Sequence, residues 1–183
     1  MTSEEMDKSY MAGVAAFPAK TAGYGNQPLP PRVQEGVKVS ELTADELDWE
    51  VSPGDSRKAL AYNGQVPGPL VRVSVGDRVR IILHNKLNES TALHMHGVQL
   101  PNAMDGVPGI TQPLVKPGES FTYEFTVRNS GTHMYHSHMN GAAQIPSGLL
   151  CAFIVDGPED PSAAHEELMI LNDGPLRSNN RTT

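Results

Sequence analysis

Short runs in which hydrophobic and polar residues alternate recur along most of the chain. In DRVRIILHN (77–85), Val79, Ile81 and Leu83 occupy every second position, and ESFTYEFTV (119–127) has four apolar residues with the same spacing. A period of two is typical of a β-strand that buries one of its faces. These two stretches are therefore predicted to be strands with one face in a core.

The same pattern predicts seven or eight strands, separated by turn-forming residues. Many short strands joined by turns favour an antiparallel β-sandwich. The predicted strands are KVSELTA (38–44), ELDWEVS (46–52), RKALAYNG (57–64), LVRVSV (70–75), DRVRIILHN (77–85), ESFTYEFTV (119–127), GTHMYHSH (131–138) and LLCAFIVD (149–156).

The two ends of the chain lack this pattern. Residues 1–35 are predicted to form an irregular arm, because TAGYGNQPLPPR is rich in Gly and Pro and has no periodicity. Residues 36–157 form the predicted β-domain. Residues 158–183 are predicted to be a polar linker and the truncated start of a second domain, in which LMIL (168–171) begins a strand.

Composition and charge narrow the possible functions. A length of 183 residues suits one domain with extensions, and 17 Gly with 15 Pro argue against long helices. The net charge of −7 and the absence of a basic run argue against a nucleic-acid partner. No apolar stretch approaches the roughly 20 residues that span a bilayer. The acidic N-terminus does not resemble a signal peptide, so either the chain is cytoplasmic or its export signal lies outside these residues.

Two histidine-rich stretches are the candidate chemistry, LHMHGVQL (93–100) and GTHMYHSHMNG (131–141). On a strand, residues i and i+2 share a face, so His94 pairs with His96, and His136 pairs with His138. The two pairs could converge if their strands are neighbours. Four protonated imidazoles would repel one another, whereas neutral imidazoles are good ligands for copper or zinc. The sequence therefore predicts a metal site at these four histidines.

The other candidate ligands are assigned structural roles. His84 and His165 are predicted to be solvated, and His133 points away from its neighbours and is predicted to support the site by packing. Cys151 lies within an apolar strand and is predicted to be a small buried hydrophobic residue. Because it is the only cysteine, the chain cannot form an internal disulfide.

The run from Tyr62 to Asp156 resembles the first cupredoxin domain of multicopper oxidases, the laccase-like family. The matching segments follow the order of the family and cover about half of the chain: YNGQVPGPLVRVSVGD, LHMHG, NAMDGVPGITQ, VKPGESFTYEF, GTHMYHSH and GLLCAFIV. The resemblance implies an all-β, Greek-key β-sandwich of cupredoxin type. It also implies a periplasmic or extracellular location.

The resemblance also assigns roles to individual residues. It implies that His94 binds the type 2 copper, that His96, His136 and His138 bind the type 3 coppers, and that Asp105 is the outer carboxylate that helps protons reach the oxygen being reduced. The implied activity is oxidation of a reducing substrate coupled to reduction of O₂ to water. The alternative is a non-catalytic copper-binding cupredoxin module or fragment.

Two departures from the family pattern affect this interpretation. Met95 replaces the usual Trp of the first motif, which predicts altered packing with the ligands preserved. Ser137 stands where cupredoxins of the H-C-H kind have the type 1 copper cysteine, so no type 1 copper is expected in this chain. A second cupredoxin domain or another copy of the chain is then the expected partner that completes the site.

Overall fold

The computed structural model describes residues 2–16, 25–161 and 163–172. In these ranges the chain forms nine strands, the helices α1 (Ser3–Ala16) and α2 (Gly141–Gln144), and a 3-10 turn at Asn102–Met104. The strands are β1 (Arg32–Gln34), β2 (Val37–Ser52), β3 (Asp55–Tyr62), β4 (Val71–Ser74), β5 (Arg78–Asn85), β6 (Leu93–His96), β7 (Ser120–Thr126), β8 (Gly131–Ser137) and β9 (Leu150–Asp156). The predicted strands are confirmed, with residues 38–44 and 46–52 merged into one.

The strands form two sheets. One has the order β1-β2-β5-β7, with β3 also paired to β2, and the other has the order β4-β9-β8-β6. Strands β2 and β5 run parallel, as do β4 and β9, while the other pairs are antiparallel. The sheets are therefore mixed, and the prediction of a purely antiparallel sandwich was wrong. Alternation of apolar residues reports which face of a strand is buried, and it does not report the direction of the neighbouring strand.

A single large core lies between the two sheets. The predicted inward residues of β5, Val79, Ile81 and Leu83, are buried. The rings of Phe125 on β7 and Phe153 on β9 approach each other across the core, with centroids 6.4 Å apart. At roughly 25 cal/mol per Å² of apolar surface removed from water, burial of these side chains is the main force that holds the sheets together. This core supports the strands β6 and β8, which carry the two histidine motifs.

The arm predicted to be irregular over residues 1–35 contains regular structure, so that prediction was wrong for α1 and β1. Helix α1 begins with a capping box, in which the Thr2 hydroxyl accepts a hydrogen bond from the Glu5 amide and the Glu5 carboxylate accepts one from the Thr2 amide. Met6 and Met11 on this helix are exposed, so the helix has no buried apolar stripe that the sequence pattern could have revealed. The capping box is the feature of the sequence that indicates this helix. None of the described helices has the length and apolar character needed to cross a lipid bilayer.

The strand predicted at residues 168–171 is not formed. Ile170 packs against the core, whereas Met169 and Leu171 are 84% and 92% exposed. The linker that precedes this segment is tied to the edge strand β4. Arg72 on β4 forms ion pairs with Asp156 at the end of β9 and with Glu166 in the linker. Residues 173–183 of the predicted second domain lie outside the described residues. The domain boundaries remain a prediction.

Candidate metal centre

Strand pairing brings the two histidine motifs together. Strand β6 lies antiparallel to β8, with His94 directly opposite His136 and His96 opposite Met134. Directly opposed residues of an antiparallel pair project from the same face with their Cβ atoms about 5 Å apart. Convergence of the two motifs was predicted only on condition that their strands were neighbours, and the register confirms it.

Four imidazole rings form one group, which we call the histidine cluster: His94, His96, His136 and His138. The centroid of the His94 ring lies 5.4 Å from those of His96 and His136 and 5.2 Å from that of His138. Ligand atoms of His94, His96 and His136 all lie within 4.8 Å of one another. His138 follows the last residue of β8, and its ring stacks on His136 with the centroids 6.2 Å apart.

Hydrogen bonds to the backbone fix which ring nitrogens are free. Nδ1 of His94 donates to the carbonyl of Asp105, and Nδ1 of His136 donates to the carbonyl of Ser137 at 2.8 Å. Because a carbonyl can only accept, the proton of each neutral ring is on Nδ1 and the lone pair is on Nε2. Nε2 of His136 lies 3.4 Å from Nδ1 of His96. The Nε2 lone pair of His136 therefore faces the His96 ring.

The donor set fits copper. Burial lowers the pKa of His136, and the neighbouring rings of His94, His96 and His138 lower it further, so the neutral form that binds a metal is favoured. Imidazoles packed this closely repel one another when they are protonated, whereas their neutral forms can share a bound cation. Imidazole nitrogens without carboxylate or thiolate suit copper and zinc better than magnesium or calcium.

Asp105 approaches His94 with two different groups, its backbone carbonyl and its side-chain carboxylate. Its backbone carbonyl accepts the His94 proton, and its carboxylate Oδ1 lies 3.7 Å from His94 Nδ1. The carboxylate is 41% exposed, so it contacts solvent as well as the cluster. The carboxylate was predictable from the sequence and the carbonyl was not, because no residue type signals a backbone contact.

Gly106 permits this approach of Asp105. Its φ is +83°, and a Cβ there would lie 1.9 Å from the Leu93 carbonyl oxygen. Gly109 has a similar φ of +76° but nothing within 4 Å of its Cβ position, which makes it a matched control. We expect Gly109→Ala to lower the free energy of unfolding by about 1–2 kcal/mol through backbone strain alone. Gly106→Ala should lower it by about 2 kcal/mol more, because the loop must also move away from β6. Denaturant unfolding of both variants measures this difference, and equal losses would contradict it.

The remaining histidines lie outside the cluster. His84 is hydrogen-bonded to Ser120 at 2.8 Å, and His165 is 78% exposed beside Glu167. His133 contacts the Asn129 amide and lies against Gly97. The exposure of His165 agrees with its prediction, whereas His84 is half-buried on β5 and less solvated than predicted.

The core residues near the cluster also behave as predicted. Met95 is buried on the opposite face of β6 from its two histidines. Cys151 is buried, its thiol donates to the Gly68 carbonyl at 2.6 Å, and burial raises its pKa to about 12. A thiol with that pKa does not provide a thiolate ligand near neutral pH.

Sequence reasoning missed the polar residues that hold the backbone around the cluster. The Asn129 side chain bridges the Gly97 carbonyl and the Gln99 amide, each at 2.9 Å, across the turn that follows His96. Gln144 is buried against Thr91 and Ser137. Neither residue belongs to a motif, and only their hydrogen bonds in the folded chain reveal them.

The family model described as multicopper oxidase matches residues 43–160 of this chain. The chain is 38% identical to copper resistance protein A of Escherichia coli over 135 residues, which is 73% of this chain and 22% of that protein. It is 44% identical to an iron transport multicopper oxidase of Gibberella zeae over 133 residues, covering 69% of this chain and 21% of the relative.

Solved structures give the same result. The crystal structure of a multi-copper oxidase from Pseudomonas thermotolerans superposes with a TM-score of 0.68 at 40% identity, covering 70% of this chain and 32% of that one. This likeness confirms the predicted β-sandwich of cupredoxin type. The chain spans about a fifth of the length of the two curated relatives. With a family model matched over more than half of its residues, the chain belongs to the multicopper oxidase family.

Proposed function

We propose that the histidine cluster is one half of a copper site that couples oxidation of a reducing substrate to reduction of O₂ to water. The observation that carries the proposal is the convergence of imidazole nitrogens from two adjacent strands, since ligand atoms of His94, His96 and His136 all lie within 4.8 Å of one another. Membership of the multicopper oxidase family supports copper as the metal.

The four ligands have distinct roles in this proposal. His94 binds the type 2 copper, whereas His96, His136 and His138 bind the type 3 coppers. The ladder between β6 and β8 holds the first three rings at fixed separations, so they change little when metal binds. Copper bound there would supply the binding and reduction of O₂.

Asp105 is the proposed proton carrier. Its carboxylate lies near the cluster and is partly open to solvent, which is the arrangement a group needs to pass protons from water to a reaction centre. Through its carbonyl it also keeps the Nδ1 proton of His94 in place, so Nε2 remains free for the metal. Asp105 therefore acts on both the proton supply and the geometry of a ligand.

Four imidazoles cannot satisfy three coppers that each need two or three protein ligands. We infer that a second histidine face completes the site, either on a following cupredoxin domain or on another copy of this chain. Electrons from the reducing substrate would enter through a type 1 copper, which this chain is not expected to hold and which would lie on a following domain or on a different chain. A periplasmic or extracellular location belongs to the same proposal.

The alternative is a copper-binding module that does not turn over. The two functions differ in whether the bound copper reduces O₂ once the second histidine face is present. A completed oxidase consumes O₂ when a reducing substrate is supplied, whereas a module that only holds copper does not. Oxygen consumption by the copper-loaded chain together with its completing partner therefore tests the proposed activity.

The colour of the copper-loaded chain is a further prediction. Intense blue absorption requires a Cys–copper bond, and the one cysteine, Cys151, is buried with its thiol bound to a carbonyl. We expect the 183-residue chain with copper to lack the blue band and to oxidise phenols poorly by itself. Visible absorption and phenol oxidation measure this. A strong blue band that Cys151→Ala abolishes, or rapid phenol oxidation by the chain alone, would contradict the account.

A further inference from the structure

The ladder between β6 and β8 positions three of the four clustered histidines. The fourth, His138, lies beyond the ladder and must be positioned by other contacts. Residues 94, 96 and 136 lie within the paired stretch of β6 and β8, while β8 ends at Ser137. His138 makes one backbone hydrogen bond beyond the ladder, from its amide to the Ala92 carbonyl at 3.2 Å. That bond holds its amide and leaves the direction of the chain after His138 open.

The hydroxyl of Ser137 fixes that direction. Ser137 is fully buried, and its Oγ accepts a hydrogen bond from the Met139 amide at 3.2 Å. A serine oxygen bound to the amide two residues later closes a small turn, in which the intervening residue has a restricted backbone conformation. The intervening residue is His138. The serine between the two ligands therefore holds the chain in a turn around the second one.

Gln144 in turn orients the Ser137 hydroxyl. The amide oxygen of Gln144 accepts the Ser137 proton, and it also accepts a hydrogen bond from the Thr91 hydroxyl at 3.0 Å. The Gln144 amide nitrogen donates to the Ser90 carbonyl at 2.9 Å. The Met139 carbonyl also lies 3.2 Å from the Ser137 hydroxyl, but the Gln144 oxygen is the closer acceptor. When the Ser137 proton is on the Gln144 side, a lone pair of the hydroxyl is free to accept from the Met139 amide.

All three side chains of this network, Thr91, Ser137 and Gln144, are fully buried. A buried polar group without a partner destabilises a protein by about 1–3 kcal/mol, so a satisfied network strongly favours a single arrangement. The network joins helix α2 to the end of β8 and to the residues that precede β6, beyond the reach of the ladder between β6 and β8.

We propose that Ser137 and Gln144 are positioning residues for His138, and that they preorganise it as the fourth ligand of the cluster. This inference rests on the proposed copper ligands. It explains why a hydroxyl stands between the two histidines of the second motif, where a side chain without hydrogen-bonding groups would leave His138 on a loose turn. Gln144, which belongs to no motif, becomes part of the metal centre through this chain of hydrogen bonds.

The test measures the affinity of the 183-residue chain for Cu(II) alone and the number of bound nitrogens, by electron paramagnetic resonance. The reference variant is His138→Ala, and the test variants are Ser137→Ala and Gln144→Met, the second of which keeps the side-chain length. The control is Ser40→Ala, which removes the hydroxyl of another buried serine, on β2 in the other sheet. Denaturant unfolding without metal measures the stability of each variant.

We expect Ser137→Ala to weaken copper binding about tenfold or more and to remove one nitrogen from the spectrum, as His138→Ala does. Gln144→Met should have a smaller effect in the same direction, and Ser40→Ala should leave both readouts unchanged. In the His138→Ala background, Ser137→Ala should cause no further loss of affinity, because the ligand it positions is gone.

Each outcome separates the two proposals. If His138→Ala leaves the affinity and the nitrogen count unchanged, the proposed ligand set is wrong. If His138→Ala weakens binding but Ser137→Ala and Gln144→Met do not, the ligand set stands and the positioning inference is overturned. It is also overturned if Ser137→Ala weakens binding equally with and without His138, since that loss would reflect stability alone. Should Ser137→Ala fail to fold, Gln144→Met decides by the same comparison.

Discussion

Replacing His94 and His136 together with alanine is expected to weaken copper binding at least about a hundredfold. These residues face each other across the ladder of β6 and β8, and each has Nδ1 tied to a carbonyl so that Nε2 is free. Loss of a group that only supports a ligand typically weakens a metal site ten- to a hundredfold, so loss of two ligands should exceed that. Isothermal titration with Cu(II) measures the change.

The matched control replaces His84 and His133 with alanine. This variant also loses two imidazoles from strands, but both rings lie outside the cluster and are bound to Ser120 and Asn129. We expect its copper affinity to stay within about twofold of the parent chain. Full copper retention by the His94→Ala, His136→Ala variant, or an equal loss in the control, would show that the metal binds elsewhere.

The pattern of alternating residues was sufficient to predict most of the sandwich. Every predicted strand of the β-domain formed, and the period of two correctly placed Met95 in the core with His94 and His96 on the opposite face. The parallel pairing of β2 with β5 could not be predicted in this way. Strand direction depends on the route of the connections, which the composition of a single strand does not contain.

The ends of the chain were predicted less well for a different reason. Helix α1 is indicated by the local capping box of Thr2 and Glu5. Apolar periodicity does not detect a capping box. The stretch 168–171 has the composition of a strand but no neighbouring strand to pair with among the described residues, so its backbone does not join a sheet. An apolar run becomes a strand only where a partner edge is available.

The histidine cluster was predictable because its ligands are rare residues at a fixed spacing. The parts that hold the cluster in place were not predictable, because they are backbone carbonyls and common polar side chains. The Asp105 carbonyl and the Gln144 amide acquire their roles only when the chain brings them next to His94 and Ser137. The clustered histidines could thus be predicted from the sequence, whereas the groups that hold them in place became apparent only in the structure.

Copper is expected to drive assembly of the chain when no other histidine face is present. The cluster is followed directly in the chain by the apolar segment of residues 139–146. Two copies that meet through this face would together supply eight imidazoles from their two sets of four histidines. Metal that binds only the assembled state stabilises it by about 2.7 kcal/mol when its concentration is a hundred times its dissociation constant. Self-association should therefore strengthen about a hundredfold under that condition.

The variant lacking His94 and His136 is the control for this assembly. It keeps the net charge that the chain has with neutral histidines, and it keeps the apolar segment, so only the metal-dependent part of the association should disappear. Copper that promotes assembly of this variant as strongly as it does the parent chain would act through nonspecific surface binding. A strong chelator should also return the parent chain to its metal-free state.

Sedimentation velocity with and without copper, combined with the number of copper ions bound per chain, tests the central claim most directly. The account predicts a larger species on copper addition, more than one copper per pair of chains, and no such change in the variant lacking His94 and His136. If the chain stays monomeric at every copper concentration and binds a single ion, the oxidase interpretation of this isolated chain is wrong, and a copper-binding module takes its place.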